Sequence, residues 1–191
     1  VVGRIDFAAK DVAQAIGDWC EHLASHYVLL NAAEAAATAR EMLQRFAASK
    51  RAKQLAQASA IHRELEFVLA WPPNHLHGYI DCLYQDAEGR WHVLDYKTTK
   101  SSTADIARLA KQYEMQMYVY ALAAERALGQ PPAELALHFL RPGVEHVFLW
   151  NDLARRQAID MVNNAIAQYQ GSKFAVQDSM ATIHRTSVTE P

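Results

Sequence analysis

Cysteine is scarce in this chain: Cys20 and Cys82 are the only two among 191 residues. Two cysteines make no disulfide framework, and this pair shows no metal-site spacing, so a reducing compartment and a cytoplasmic location are expected. No run of about 18 apolar residues occurs, so no membrane span is expected. The first residues, Val1-Val2-Gly3-Arg4-Ile5-Asp6, lack the charged and apolar regions of a secretory signal. Position 1 is not Met, and a fragment of a longer chain is expected. Charge of one sign is also lacking, the formal net charge being -2. A protein that grips nucleic acid unaided is usually basic, because phosphate neutralisation supplies most of the affinity. This balance argues against a stand-alone nucleic-acid binder. It leaves open an acidic metal site, or a module handed its strand by a neighbour. Glycine and proline are missing between Asp18 and Trp71, so that stretch has few helix breakers.

What is present is a globular composition, 51% apolar and 21% charged, long enough for one domain with a real core. Val12, Ile16, Trp19, Leu23 and Tyr27 recur at helical steps. Residues 32–49 form an Ala-rich helix with Met42, Leu43 and Phe46 inward, and 50–60 add a further helical turn or two. The pattern then changes. Residues 65–70 are a short apolar run stopped by the turn Trp71-Pro72-Pro73-Asn74. Residues 76–84 and 91–98 read as strands around the hairpin turn Asp86-Ala87-Glu88-Gly89, and the three segments form an antiparallel meander. Ser102 or Thr103 caps a long helix along Ile106, Leu109, Tyr113, Met117, Tyr120, Ala124 and Leu128, ended by Gly129 and Pro131-Pro132. Strands at 134–140 and 145–150 flank Arg141-Pro142-Gly143. Asp152 caps a last helix to about Tyr169, closed by Gly171, and the tail from Ser172 is expected to be loop.

The fold class that follows is α/β: a central mixed sheet flanked by helices, with an N-terminal helical extension. Residues 1–171 are expected to form a single domain, 1–60 as the helical extension and 61–171 as the α/β core, with 172–191 as a C-terminal tail.

Asp81 interrupts the apolar strand Gly78-Tyr79-Ile80-Asp81-Cys82-Leu83-Tyr84. Asp95 and Lys97 stand two apart in Val93-Leu94-Asp95-Tyr96-Lys97-Thr98, and so share one strand face. The hairpin can bring Asp81 beside them. Strand interiors disfavour Asp, and buried charge needs a partner, which two carboxylates and an ammonium on one face provide. The same group can hold a hard cation such as Mg²⁺, which takes one or two carboxylates and fills its shell with water and phosphate. A bound ion of that kind suits phosphodiester hydrolysis, with Lys97 placed to orient the water or offset developing charge.

The spacing Asp-(x)n-Asp-x-Lys is that of the PD-(D/E)XK nucleases. In order, Arg63-Glu64-Leu65-Glu66-Phe67, Gly78-Tyr79-Ile80-Asp81, Val93 to Thr98 and Tyr113 to Leu122 resemble the nuclease domain of RecB- and AddAB-type helicase-nucleases and related exonucleases. The resemblance implies a restriction-endonuclease-like core. It also implies Mg²⁺- or Mn²⁺-dependent DNA hydrolysis, exonucleolytic and tied to recombination or repair, with a helicase domain in the same parent chain or complex. By position, Asp81 and Asp95 match the metal-ligand carboxylates and Glu64 the acidic residue of the first core strand. The Tyr96 backbone carbonyl matches a further metal ligand, Lys97 the D-x-K lysine, and Gln116 and Tyr120 the Q-x-x-x-Y bordering the site. One departure concerns the histidine that often completes the metal site. No G-x-x-x-H pattern precedes Glu64, and Gly17 to His22 is one residue too long. Nor can two cysteines hold the iron–sulfur cluster of some relatives.

Plainer readings stand beside these. Glu64 can be surface charge, and Gln116 with Tyr120 an ordinary packed helix face. Tyr113, Met117 and Leu128 read as core. His75 and His77 beside a turn read as structural, and His92 falls on the strand face opposite Asp95. Lys50-Arg51-Ala52-Lys53, with Arg40 and Arg45, reads as a solvated helix face or a DNA-tracking patch. Lys100, Arg108 and Lys111 are placed to meet phosphates. The alternative to an enzyme is a nuclease-shaped module that binds DNA or protein without cutting. An unrelated metal hydrolase would need His ligands at workable spacing, which the chain lacks.

Overall fold

A computed structural model describes residues 5–6, 9, 11–26, 31–100 and 102–186, with side chains through 170. By their contacts the residues divide into two compact units, Val1–Trp150 and Asn151–Pro191.

The first unit opens with three helices: α1 (Val12–His26), α2 (Ala32–Ala47) and α3 (Lys50–Ala56). Tyr27, expected on α1, lies outside the described residues. With no Gly or Pro to divide them, polar caps do so. Asn31 Oδ1 accepts from Glu34 N–H at 3.1 Å at the start of α2, and Ser49 Oγ accepts from Ala52 N–H at 3.1 Å at the start of α3. Ile16 and Cys20 of α1 pack with Ile5 and with Leu43 of α2.

Five strands follow: β1 (Ala60–Trp71), β2 (Asn74–Gln85), β3 (Trp91–Lys97), β4 (Glu134–Phe139) and β5 (Val144–Phe148), with α4 (Ile106–Leu128) between β3 and β4. The sheet order is β1-β2-β3-β4-β5. The first three strands are the antiparallel meander that the turns predict, and β4 joins β3 in parallel. That parallel step requires a crossover, which α4 supplies. A short 3₁₀ turn, Thr103–Asp105, precedes α4. Gly129 ends the helix in the left-handed conformation, φ 70°, and its N–H reaches Glu125 O at 2.9 Å. An L side chain would be strained there.

β1 and β2 are longer than their apolar runs suggest, at 12 residues each. They outrun β3: the β2–β3 ladder ends at Cys82↔Leu94, while β1 and β2 stay paired to Trp71↔Asn74. Residues 65–80 therefore form a two-stranded arm beyond the sheet. Phe67 lies over Gly78 on this arm, and a Cβ there would meet its ring at 3.0 Å.

The two sheet faces differ. Leu94 and Ala136 pack with Cys82 and Tyr84 against Phe46, Ala52 and Leu55 of α2 and α3, and the Phe46 ring meets Tyr96 and His138 edge-on. By alternation Val93, Asp95, Leu135 and Leu137 face the other way. All four are buried, and α4 touches β1, β3, β4 and β5.

Arg51 departs from expectation. It is 4% exposed, not part of a solvated face. Its guanidinium bonds Glu145 twice, at 2.8 and 2.9 Å, donates to Tyr84 Oη at 2.6 Å and pairs with Glu134 at 2.6 Å. His138 Nδ1 lies 2.9 Å from Glu145, and His92 bonds Asp86 at 2.8 Å.

In the second unit α5 runs Asp152–Thr186. Its cap is Asn151, not the expected Asp152: Asn151 Oδ1 accepts from the N–H groups of Leu153 and Ala154, both at 3.0 Å. Gly171 does not close the helix, and 172–186 are helical rather than loop. One interior glycine costs only about 1 kcal/mol against alanine, too little to end a helix alone. No helix among the described residues is long and apolar enough to cross a membrane.

Candidate active site

Where the β2–β3 ladder stops, Asp81 takes its place. Its Oδ2 accepts the Tyr96 N–H at 3.0 Å, a backbone donor that would otherwise lack a strand partner. In an extended strand the N–H and C=O of one residue leave toward the same edge. The Tyr96 carbonyl therefore leaves β3 on the Asp81 side. Lys97 fits the alternation, since its carbonyl turns to the opposite edge and accepts Leu140 N–H at 2.9 Å.

Asp95 is 1% exposed. Lys97 Nζ sits 2.7 Å from its Oδ2, close enough for an ion pair, yet that oxygen has no well-aligned hydrogen-bond donor. Oδ1 accepts from Gln116 Nε2 at 3.3 Å. Burial pushes the Asp95 carboxyl up to about 6; the charges of Asp81 and Glu64 push the same way and Lys97 opposes them.

Gln116 ties the group together. Its Oε1 accepts from Lys97 Nζ at 3.0 Å, and its Nε2 donates to Tyr120 Oη at 2.7 Å as well as to Asp95. The amide is thereby oriented with oxygen toward the ammonium and nitrogen toward the carboxylate and phenol. Burial raises the Tyr120 hydroxyl, with Asp95, Asp81 and Glu64 adding to the rise. Gln116 and Tyr120 are thus bonded into the acidic group and are not a plain packed face.

Glu64 is exposed and carries φ 49°, unusual for a residue with a side chain. Register sets it opposite Asp81, between the pairs Arg63↔Cys82 and Leu65↔Ile80, at the one position where the β1–β2 ladder skips. Its charge is felt at Asp95 and Tyr120.

Tyr113 belongs to the group although its spacing alone assigns it to the core. Lys97 Nζ stands 4.4 Å from its ring centroid, a cation–π contact, and its hydroxyl lies 3.5 Å from Thr99 Oγ1. The signal in the sequence is its place three residues before Gln116 on one helix face. The other candidates fall outside this group. His77 Nε2 bonds Glu66 at 2.7 Å, and the rings of His22 and His26 meet each other on α1, tilted by 47° with centroids 4.2 Å apart. Arg108 pairs with Asp105 at 3.2 Å and Lys111 with Glu114 at 2.6 Å, while Lys100 is exposed.

Among the described residues no three His, Cys, Asp or Glu side chains converge tightly enough to enclose an ion. A pair of carboxylates suffices for Mg²⁺ or Mn²⁺, which keep several waters. The donor set here is all oxygen: Asp95 Oδ2 without an aligned donor, Asp81, and the Tyr96 carbonyl on the same edge. These residues fit a hard divalent cation and do not suit a soft one.

The profile of the PD-(D/E)XK nuclease superfamily matches residues 6–181. The chain belongs to this superfamily. It is 30% identical over 131 residues to an ATP-dependent helicase/nuclease subunit of Pelotomaculum thermopropionicum, covering 61% of this chain and 10% of that protein. To the corresponding protein of Bacillus pumilus it is 31% identical over 113 residues, 49% of this chain and 9% of the other. The chain thus spans about a tenth of the length of these relatives. A solved structure from Eubacterium rectale, described as an exonuclease by assignment, aligns over 84% of this chain and 66% of its own, at 11% identity and TM-score 0.49. A PD-(D/E)XK member with a mixed five-stranded sheet has the restriction-endonuclease-like fold expected of its sequence.

Proposed function

We propose that this chain is a divalent-metal-dependent deoxyribonuclease, exonucleolytic, with Mg²⁺ or Mn²⁺ as its ion. It serves recombination or repair as the nuclease part of a helicase-nuclease. The observation that carries the reading is Asp95, a buried carboxylate with one oxygen lacking an aligned donor, bracketed by Asp81, Lys97 and Gln116. A strand interior has no structural use for such a group, and strained or ill-satisfied polar groups concentrate at functional sites.

Asp81, Asp95 and the Tyr96 carbonyl would hold the cation, with Glu64 assisting directly or through water. When bound, the ion supplies positive charge against which a phosphoryl oxygen and an attacking water are polarised. The chain's own groups do the rest. Lys97, fixed between Asp95 and Gln116 and backed by Tyr113, positions the nucleophilic water and offsets charge on the phosphoryl oxygens. Gln116 holds the Lys97 ammonium at that place, and Tyr120 holds Gln116.

The net charge of -2 favours a second reading, a nuclease-shaped module that binds without cutting. One experiment separates the two. Labelled linear single- and double-stranded DNA is incubated with Mg²⁺ or Mn²⁺, beside Asp95→Ala, Lys97→Ala and EDTA controls. Metal-dependent cutting from ends, abolished by both substitutions, is expected. Absence of cutting together with absence of Mn²⁺ binding by calorimetry would replace the enzyme with the module.

A further inference from the structure

The arm formed by β1 and β2 turns one face to α4 and leaves the other to solvent. Leu65, Phe67, Leu69 and Ile80 line a groove together with Ala123 and Ala124 of α4, whereas Glu66, Val68, His77 and Tyr79 are exposed. On the α4 side one contact reaches the candidate active site. The half-buried Phe67 ring meets the Tyr120 ring edge-on, with centroids 5.8 Å apart and planes at 80°. Tyr120 is buried, and its hydroxyl accepts from Gln116 Nε2 at 2.7 Å. Gln116 in turn accepts from Lys97 Nζ at 3.0 Å and donates to Asp95 Oδ1 at 3.3 Å. A continuous line of contacts therefore joins the arm to the catalytic lysine.

Two features make Phe67 more than filling. The first is its seat. Gly78 is its cross-strand partner, and a Cβ there would stand 3.0 Å from Cζ of the ring and 3.1 Å from Cε1. The Gly78 backbone is not left-handed, so what requires a glycine at that point is space. The missing side chain lets the ring lie across the neighbouring strand. The second is what Tyr120 lacks without it. The bond to Gln116 fixes the phenol at its tip alone, and an edge-on neighbour fixes the plane of the ring. Tyr120 stands one helical turn beyond Gln116, so the tilt of its ring sets where its hydroxyl meets the amide.

We infer that Phe67, seated on Gly78, is a positioning residue for the nuclease reaction: it holds the Tyr120 ring, through it the Gln116 amide, and so the Lys97 ammonium. The inference rests on the nuclease reading above. Lys97 acts by where its charge stands relative to the water and the phosphoryl oxygens, so a loosened amide costs rate and not affinity. The arm thereby takes part in the reaction from outside the site, and its apolar face against α4 does more than cover the sheet.

The test is a double-mutant cycle on cleavage of a labelled oligonucleotide in Mg²⁺, read as kcat and KM below each variant's thermal midpoint. A displacement of about 1 Å can cost about 100-fold in rate, so Phe67→Leu is expected to lower kcat about 10- to 100-fold with KM within about twofold of the parent. Gly78→Ala, which pushes the same ring from its seat, is expected to lower kcat without raising KM. Tyr120→Phe removes the hydroxyl that holds Gln116, and on that background Phe67→Leu is expected to cost no more than about twofold further. Leu69→Ala empties the same groove two residues along the strand and is expected to lower the midpoint while leaving kcat within about twofold of the parent. An unchanged kcat in Phe67→Leu, losses that multiply in the Phe67→Leu/Tyr120→Phe double variant, a raised KM in place of a lowered kcat, or a loss in Leu69→Ala as large as in Phe67→Leu would overturn the inference. A parent that cuts no DNA sinks the nuclease reading alone. Solvent exchange of the Gln116 side-chain N–H groups, followed by NMR, then decides the positioning: Phe67→Leu is expected to speed it as Tyr120→Phe does, and exchange as slow as in the parent would refute the link.

Discussion

At the scale of the residue, Asp95 carries the conflict between folding and chemistry. A carboxylate in its ordinary state loses its proton near 3.8, and here burial, Asp81 and Glu64 push it up to about 6. Its folded value lies above its unfolded one, so the ionised form is disfavoured by folding. The cost sets in as pH rises from about 4 and is complete above about 6. Asp95→Asn keeps the shape and removes the charge. We expect it to abolish cleavage and yet raise the thermal midpoint at pH 7.5, in metal-free buffer, by about 2–4 °C for about 1 kcal/mol gained. A lowered midpoint would mean that the Lys97 ion pair outweighs the burial of Asp95. Asp81, Asp95 and Lys97 are readable from the sequence because strand alternation and one hairpin suffice to place them. Tyr113 is not, because an aromatic at a helical core position looks the same whether its face meets a leucine or an ammonium.

At the scale of the element, long-range partners decide what local pattern cannot. The antiparallel meander of β1–β3 and the end of α4 at Gly129 follow from turn residues and periodicity and are as expected, whereas the cap expected of Ser102 or Thr103 is not made: Ser102 Oγ donates to Asp105 Oδ2, and α4 starts only at Ile106. Arg51 lies in a run of basic residues that any helix could expose. Its acids come from Glu145, 94 residues later, and from Glu134, neither of which a local reading can pair with it. Likewise Glu64 can be placed on β1 from its neighbours, but its positive φ follows from where the ladder skips. The Arg51 network predicts a pH dependence. Burial works to raise the Glu145 carboxyl, yet His138 and Arg51 outweigh it and bring it down to about 2. Its folded value lies below its unfolded one. Its contribution is therefore full above the ordinary value of 4.5 and is lost as pH falls from there toward about 2. Glu145→Gln should be less stable than the parent at pH 7, by about 2–4 kcal/mol, because it leaves Arg51 buried with a weaker partner. The gap should narrow below pH 4 in thermal or urea unfolding. A gap unchanged down to pH 2.5 would show that Glu145 holds Arg51 by shape and not by charge.

At the scale of the whole molecule, net charge and size bear on how the site is supplied. The formal charge is -2, and several cations near the site are engaged. Arg108 and Lys111 pair within α4 and its entry turn, and Arg141 Nε donates to Thr98 O at 2.8 Å. Exposed pairs of this kind are weak and can be traded for phosphate, but each trade returns less than a free lysine would. With two or three phosphates neutralised, log K for single-stranded DNA should fall with log salt at a slope of about -2. The chain spans about a tenth of relatives named helicase/nuclease subunits, and on the proposal that a motor feeds the strand, a weak electrostatic grip is no handicap. The measurement is fluorescence-anisotropy binding of a single-stranded oligonucleotide to the parent protein in Ca²⁺ from 25 to 300 mM salt. A shallow slope is the pattern expected of a small ionic term. A slope steeper than about -4 would require a basic surface that contacts more than two or three phosphates, and would return the grip to this chain itself.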